Sequence, residues 1–209
     1  MAQTKKKRKF FDVEIPLISK TTHLYAFNAE ELEGKQIIYD LTRILRGKGA
    51  LLKAKVILDQ EKLTTKATEL KILPYFLKRM VRKGTNYVED SFTTNCADGE
   101  LLIKPFLVTR RKVSRAVRKA LREKAKEELT EYLKNKDSET IFDEILQNRL
   151  QKTISLKLKK VYPLSTCEIR IITLKKELDS KEEKPKETKK KVVKEEKVEE
   201  KKETTTKKE

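Results

Sequence analysis

The sequence predicts an α+β domain: a mainly antiparallel sheet, open or closed into a barrel, with a long basic helix, flanking helices and a disordered C-terminal tail. Three observations carry this. Period-two apolar alternation fills much of residues 37–109, helical periodicity takes over from 114 to 160, and residues 180–209 contain no aromatic and no apolar side chain larger than valine.

The elements follow in order. Ile37, Tyr39 and Leu41 alternate with Ile38, Asp40 and Thr42; Leu52, Ala54, Val56 and Leu58 alternate mostly with lysine and aspartate. These are two strands, and Arg46-Gly47-Lys48-Gly49 supplies the glycines that a turn between them needs. The same alternation continues over 63–71. Pro74 then opens a short helix that Gly84 ends, with Leu73, Leu77, Met80 and Val81 on one side. Residues 88–95 and 100–109 form a hairpin turning at Ala97-Asp98-Gly99. Pro105 cannot donate to a ladder, so it puts the second of these strands at an edge or a bulge. A long helix spans 114–134, and a second runs with a break from 138 to 160. Cys167, Ile169 and Ile171 alternate with Glu168, Arg170 and Ile172 in a last strand.

Charge divides the chain into three parts. Residues 1–9 are a basic arm carrying Lys5, Lys6, Lys7, Arg8 and Lys9 in one run. Residues 10–179 are the single folded domain, and 180–209 are a tail of 12 lysines, 9 glutamates and nine other residues. Such a tail buries too little apolar surface to offset its ordering entropy. The whole chain holds 51 basic and 33 acidic residues, a formal net charge of +18, which is the footprint of a partner for polyanions. No apolar run approaches the ~18 residues of a membrane span and no signal-peptide core is visible, so an intracellular protein without a membrane partner is expected. Cys96 and Cys167 lie far apart and imply no disulfide framework.

The strongest chemical signal lies on the long helix. Residues 110–126 hold nine basic residues and one acid, Glu123. Val113, Val117, Leu121 and Ala125, continued by Leu129, Tyr132 and Leu133, make its apolar stripe. Arg111, Arg115, Arg118 and Arg122, with Arg110 just ahead, line another face, and the arginine fork can grip phosphate oxygens bidentately. Lys78, Arg79, Arg82 and Lys83 repeat the pattern on the short helix. Arg43, Arg46 and Lys48 surround the glycine turn, where a phosphate could approach the backbone. These residues and the arm form the expected RNA-binding set. Tyr25, Phe27, Tyr39, Tyr75, Tyr87 and Tyr162 sit mostly in apolar patterns, and core packing is expected of them ahead of base stacking.

Catalysis finds no foothold. His23 is the single histidine and has no partner motif, and neither cysteine has metal-ligand spacing. No enzyme, cofactor or metal is expected.

Four stretches, in this order, resemble the archaeal and eukaryotic small-subunit ribosomal protein family called S-three-a, the eukaryotic-type S-one family. They are Lys9-Phe10-Phe11-Asp12-Val13; Leu32-Glu33-Gly34-Lys35 with Tyr39-Asp40-Leu41; Asp98-Gly99-Glu100-Leu101-Leu102 with Phe106 and Thr109-Arg110-Arg111; and Val161-Tyr162-Pro163-Leu164 with Ile169-Arg170. Two places depart from the family pattern. The stretch from Thr68 to Pro74 replaces a Phe-x-Gly and Leu-Thr-Arg-Asp segment, and Ile171 stands where lysine is common. The resemblance implies a structural constituent of the small subunit, on the platform near the messenger exit, in cytoplasmic ribosomes. Its partners would be small-subunit rRNA, neighbouring ribosomal proteins and passing messenger, held by charge neutralisation and shape. A free RNA chaperone or messenger-binding module is the alternative.

Overall fold

The computed structural model describes residues 7–59 and 62–177. The expected tail over 180–209 and the first six residues of the expected arm lie outside the described residues.

Strands β1 (Lys9–Ile15) and β2 (Lys20–Ala26) form an antiparallel hairpin around a turn that Pro16 opens and Ser19 closes at φ 53°. The strand pattern read above starts only at residue 37 and misses this hairpin, although Phe11, Val13 and Ile15 alternate with Asp12 and Glu14. β3 (Gln36–Asp40) pairs with β4 (Ala50–Asp59), and β5 (Lys62–Ile72) returns along β4. Helix α1 (Pro74–Met80) follows with Pro74 in its first turn. β6 (Tyr87–Glu89) and β7 (Phe92–Asn95) both pair with β8 (Gly99–Thr109). Helices α2 (Arg115–Leu133), α3 (Ser138–Leu146) and α4 (Arg149–Leu158) come next, and β9 (Leu164–Glu177) inserts between β5 and β8. The expected break in the second long helix is Asn148, in the left-handed conformation at φ 57°.

The sheet is mixed but mostly antiparallel. Among the described residues only β1 and β5 run parallel, through Val13↔Leu63 and Glu14↔Thr64. Among the described residues no pairing joins the outer strands, so the sheet stays open and no barrel forms. No helix among them is long and apolar enough to cross a membrane.

Side-chain alternation decides which helix goes where. Leu101, Ile103 and Leu107 of β8 face the main core, where they meet Leu121, Ala125, Leu129 and Leu133 of α2, Phe142 of α3, and Ile154 and Leu158 of α4. The α2 residues recur every fourth position, so they make one stripe down the helix. Val117 and Tyr132 pack at its margins, as the expected stripe had it. Phe106 and Val108 point to the opposite face of β8 and close a smaller cluster with Ile72 and Leu77 of α1.

Bulges explain where the alternation failed. β9 carries an extra residue opposite β8 at three points, including Arg170, between the pairs Lys104↔Ile171 and Pro105↔Ile169. One extra residue reverses the pleat, so Ile169 and Ile172 are buried while Ile171 is only half-buried. Pro105 therefore sits in a central strand, at a bulge and opposite the gap between β6 and β7. The stretch from Thr68 that departs from the family pattern simply continues β5 past a bulge at Lys53/Ala54.

Asp98 joins the β7–β8 turn to the start of α3. Its Oδ2 accepts from the Ser138 N–H and from the Ser138 hydroxyl, both at 2.8 Å. The backbone N–H, then the hydroxyl, hold the Asp98 carboxyl below its usual range. A depressed carboxyl pKa contributes stability above the unfolded value, and that stability is lost as pH falls through the folded one. Asp98→Ala is therefore expected to cost about 1–2 kcal/mol at pH 7. In urea titrations the gap between variant and parent should narrow as pH drops below the ordinary carboxylate range. A gap that does not change with pH would show that the charge contributes nothing.

Candidate nucleic-acid interface

Two basic segments meet at the end of β8, and one asparagine holds them together. Thr109, fully buried, ends β8; its N–H donates to the Asn86 carbonyl at 2.9 Å, and the Asn86 N–H donates to Thr109 Oγ1 at 3.0 Å. The Thr109 hydroxyl is placed to donate to either the Asn86 or the Arg111 carbonyl, at 2.9 and 2.8 Å. Asn86 Oδ1 then accepts from the Val113 N–H at 3.0 Å. The segment before Asn86 carries Lys78, Arg79, Arg82 and Lys83; the segment after Thr109 carries Arg110, Arg111, Lys112 and Arg115. All eight are exposed.

The electrostatics of this end are one-sided. Residues 78–86 and 110–122 contain no acid. Helix α2 begins at Arg115, its first turn holds no acidic residue, and the cap is Ser114, whose Oγ accepts from the Val117 N–H at 3.4 Å. Cations at a helix N-terminus oppose the macrodipole, at about 0.3–1 kcal/mol each. A polyanion would relieve that repulsion and also meet the positive end of the helix. Acids return only from Glu123 onward, where Lys119–Glu123 (3.7 Å) and Lys157–Glu128 form ion pairs. The basic character of α2 thus belongs to its first half.

The expected arginine stripe is modified in one respect. Arg115, Arg118 and Arg122 are on the helix, but Arg111 lies in the loop ahead of it. β8 runs to Thr109 and the chain needs residues 110–114 to turn; the Ser114 cap then sets the first helical turn after it. Arg115 and Arg122 are exposed. Arg118 is half-buried, and its Nε is buried without a hydrogen-bond partner.

The glycine turn is less open than its sequence suggests. Lys48 donates to Glu168 Oε2 at 2.6 Å and Asn148 Oδ1 at 2.9 Å, with its side chain only 13% exposed. It ties the turn to β9 and to the start of α4. Gly49 is covered by Tyr75: a Cβ there would fall 2.1 Å from Tyr75 Oη, so the close approach anticipated for a phosphate is occupied by a ring. Arg43 and Arg46 remain exposed, with Arg46 at φ 51°. Of the arm, Lys7, Arg8 and Lys9 are exposed, and the Arg8 guanidinium lies 4.9 Å from the Phe27 ring centre and 5.8 Å from that of Tyr25. Lys5 and Lys6 are outside the described residues.

The aromatic residues correct the expectation of core packing. Tyr25, Tyr75 and Tyr87 are more than half exposed and Phe27 is 37% exposed; Tyr39 and Tyr162 pack against the core. The alternation was real, but these rings fall on outward phases of edge strands or on the outer side of α1. Arg170 is a further cation absent from the expected set. The bulge in β9 turns it toward β6, where its Nη1 pairs with Glu89 Oε2 at 3.1 Å.

The model of the Ribosomal S3Ae family matches residues 3–177. Small ribosomal subunit protein eS1 of Haloarcula marismortui is 30% identical over 100 residues, covering 47% of this chain and 47% of that protein. The protein of the same name from Halorubrum lacusprofundi is 29% identical over 100 residues, 47% and 46% of the two chains. The Nanoarchaeum equitans eS1 protein is 27% identical over 167 residues, 76% of this chain and 84% of that one. The alignments with the two halophile proteins thus span about half of those relatives' length.

Proposed function

The chain belongs to the Ribosomal S3Ae family, a structural and non-enzymatic one, and we propose that it is a structural constituent of the small ribosomal subunit that binds rRNA through its acid-free end. The observation that carries this is the Asn86 clamp, which gathers two sets of cations around the N-terminus of α2. Nothing within the described chain balances that concentration of charge, and a phosphate backbone does. The folded body presents the surface; the arm, with Lys7, Arg8 and Lys9, adds a second point of contact. No bond is made or broken in this role. Counterion release supplies affinity, and the fixed spacing of the two segments supplies shape selection.

The finer reading places the protein on the platform of the small subunit, near the messenger exit, with neighbouring ribosomal proteins and passing messenger as further partners in the cytoplasm. Sedimentation of a native extract tests the assignment. The protein is expected in the small-subunit peak of a high-salt sucrose gradient. Recovery only in the soluble top fractions would sink the ribosomal role and favour a free RNA chaperone or messenger-binding module.

A further inference from the structure

A groove of about 470 Å³ opens beside the acid-free end, between α1, β6, β8 and β9. Its wall is aromatic: the Tyr87 ring stacks on Phe106 with centroids 5.8 Å apart and planes 21° from parallel. Phe106 is buried, so it fixes one side of Tyr87, while the tyrosine itself stays 54% exposed. Leu77 contributes an apolar floor, and Lys78 and Arg170 bring cations to the rim. Among the described residues that line it, the one carboxylate, Glu89, is already paired with Arg170. A flat, apolar-faced ring with cations at its edge and no unbalanced negative charge suits a planar base attached to a phosphate.

We propose that this groove takes an unpaired nucleobase of RNA, stacked on the free side of Tyr87, with its flanking phosphates on Lys78 and Arg79 of α1. The idea rests on the RNA-binding reading above and deepens it. The acid-free end grips the backbone without regard to sequence, whereas the groove needs a base that has left its helix. Tyr87 is held for this by the fold: Tyr87↔Val108 pairing places it directly after the Asn86 clamp, so backbone grip and base seat are rigidly joined. A volume near 470 Å³ has room for a base of either size. The ion pair offers both donors and an acceptor to a base edge.

The test measures binding of the full chain to an unstructured ten-nucleotide RNA of adenosine and uridine, and to the same backbone made without bases. Tyr87→Ala should weaken binding to the base-bearing RNA by about 5- to 100-fold. It should leave the abasic strand and the salt slope unchanged, because no charge is removed. Tyr87→Phe should keep nearly full affinity, since the ring remains. A folded Tyr87→Ala protein that binds both strands like the parent overturns the groove alone, as does an equal loss on both strands. Failure of the parent to bind either strand overturns the RNA-binding reading and the groove with it. A photo-reactive group at position 87 that captures a protein segment and no RNA in native ribosomal fractions also overturns the proposal.

Discussion

Replacing Arg111, Arg115, Arg118 and Arg122 together with glutamine is expected to flatten the slope of log affinity against log salt by about 3, at roughly 0.7–0.9 per lost phosphate contact. Three of these residues lie on the first half of α2 and the fourth in the loop before it, all within the acid-free stretch 110–122. Folding should survive. Glutamine is an acceptable helix residue, and removing Arg115 from the first turn relieves repulsion with the helix dipole. Arg118 also gives up a buried Nε that has no partner. The expected signature is therefore a fall in affinity and slope with unchanged or slightly higher thermal stability. Loss of affinity at constant slope would indicate damaged folding or lost stacking. As a control, Lys186, Lys189, Lys190 and Lys191 become glutamine; glutamates surround them in sequence, and a smaller slope change is expected there. An equal change at both places would make the helix one basic surface among many.

The largest effect on stability is expected from Phe142→Ala. Phe142 is fully buried on α3, in the cluster that joins α2, α3 and α4 to β8 and β9. Emptying that site should cost about 3–5 kcal/mol, from lost transfer energy and the cavity left behind. Leu156→Ala provides the contrast: Leu156 is 69% exposed on α4, so its removal should cost well under 1 kcal/mol. Urea titration of the two variants measures both. A small loss at Phe142 would mean that the three helices do not share one core with the sheet.

Helical spacing in this chain was a better guide than strand spacing, for a physical reason. The stripe from Val117 to Leu133 on α2 is legible because a helix keeps its phase over nineteen residues. β9 does not keep its phase, because each bulge reverses the faces. Nothing in Ile169-Arg170-Ile171-Ile172 announces which residue is the extra one. The β1–β2 hairpin was missed for another reason: β1 alternates, with Val13 and Ile15 buried, but the exposed Phe10 and Tyr25 put large aromatic side chains on its outer side as well.

The candidate site shows the same division. Runs of cations without acids were visible as they stand, and the structure brings two of them together at Asn86. That meeting needs a contact between residues 86 and 113, across a hairpin, and composition holds no trace of it. Lys48 resembled its basic neighbours in sequence yet is committed to Glu168, 120 positions away. Tyr87 looked like a core aromatic because it sits in an apolar pattern; the β6–β8 pairing turns Val88 inward, so the neighbouring Tyr87 ring faces outward. Long-range pairing, not residue type, separates the cations left at the surface from those that hold the fold.

Ultraviolet crosslinking of native small subunits, followed by mass spectrometry of the RNA-linked peptides, reads which surfaces touch RNA. Adducts are expected in the peptides covering 78–87 and 110–122, the two segments clamped at Asn86. RNA adducts confined to other surfaces, such as the exposed face of α4, with none in those two segments, would contradict the proposed interface.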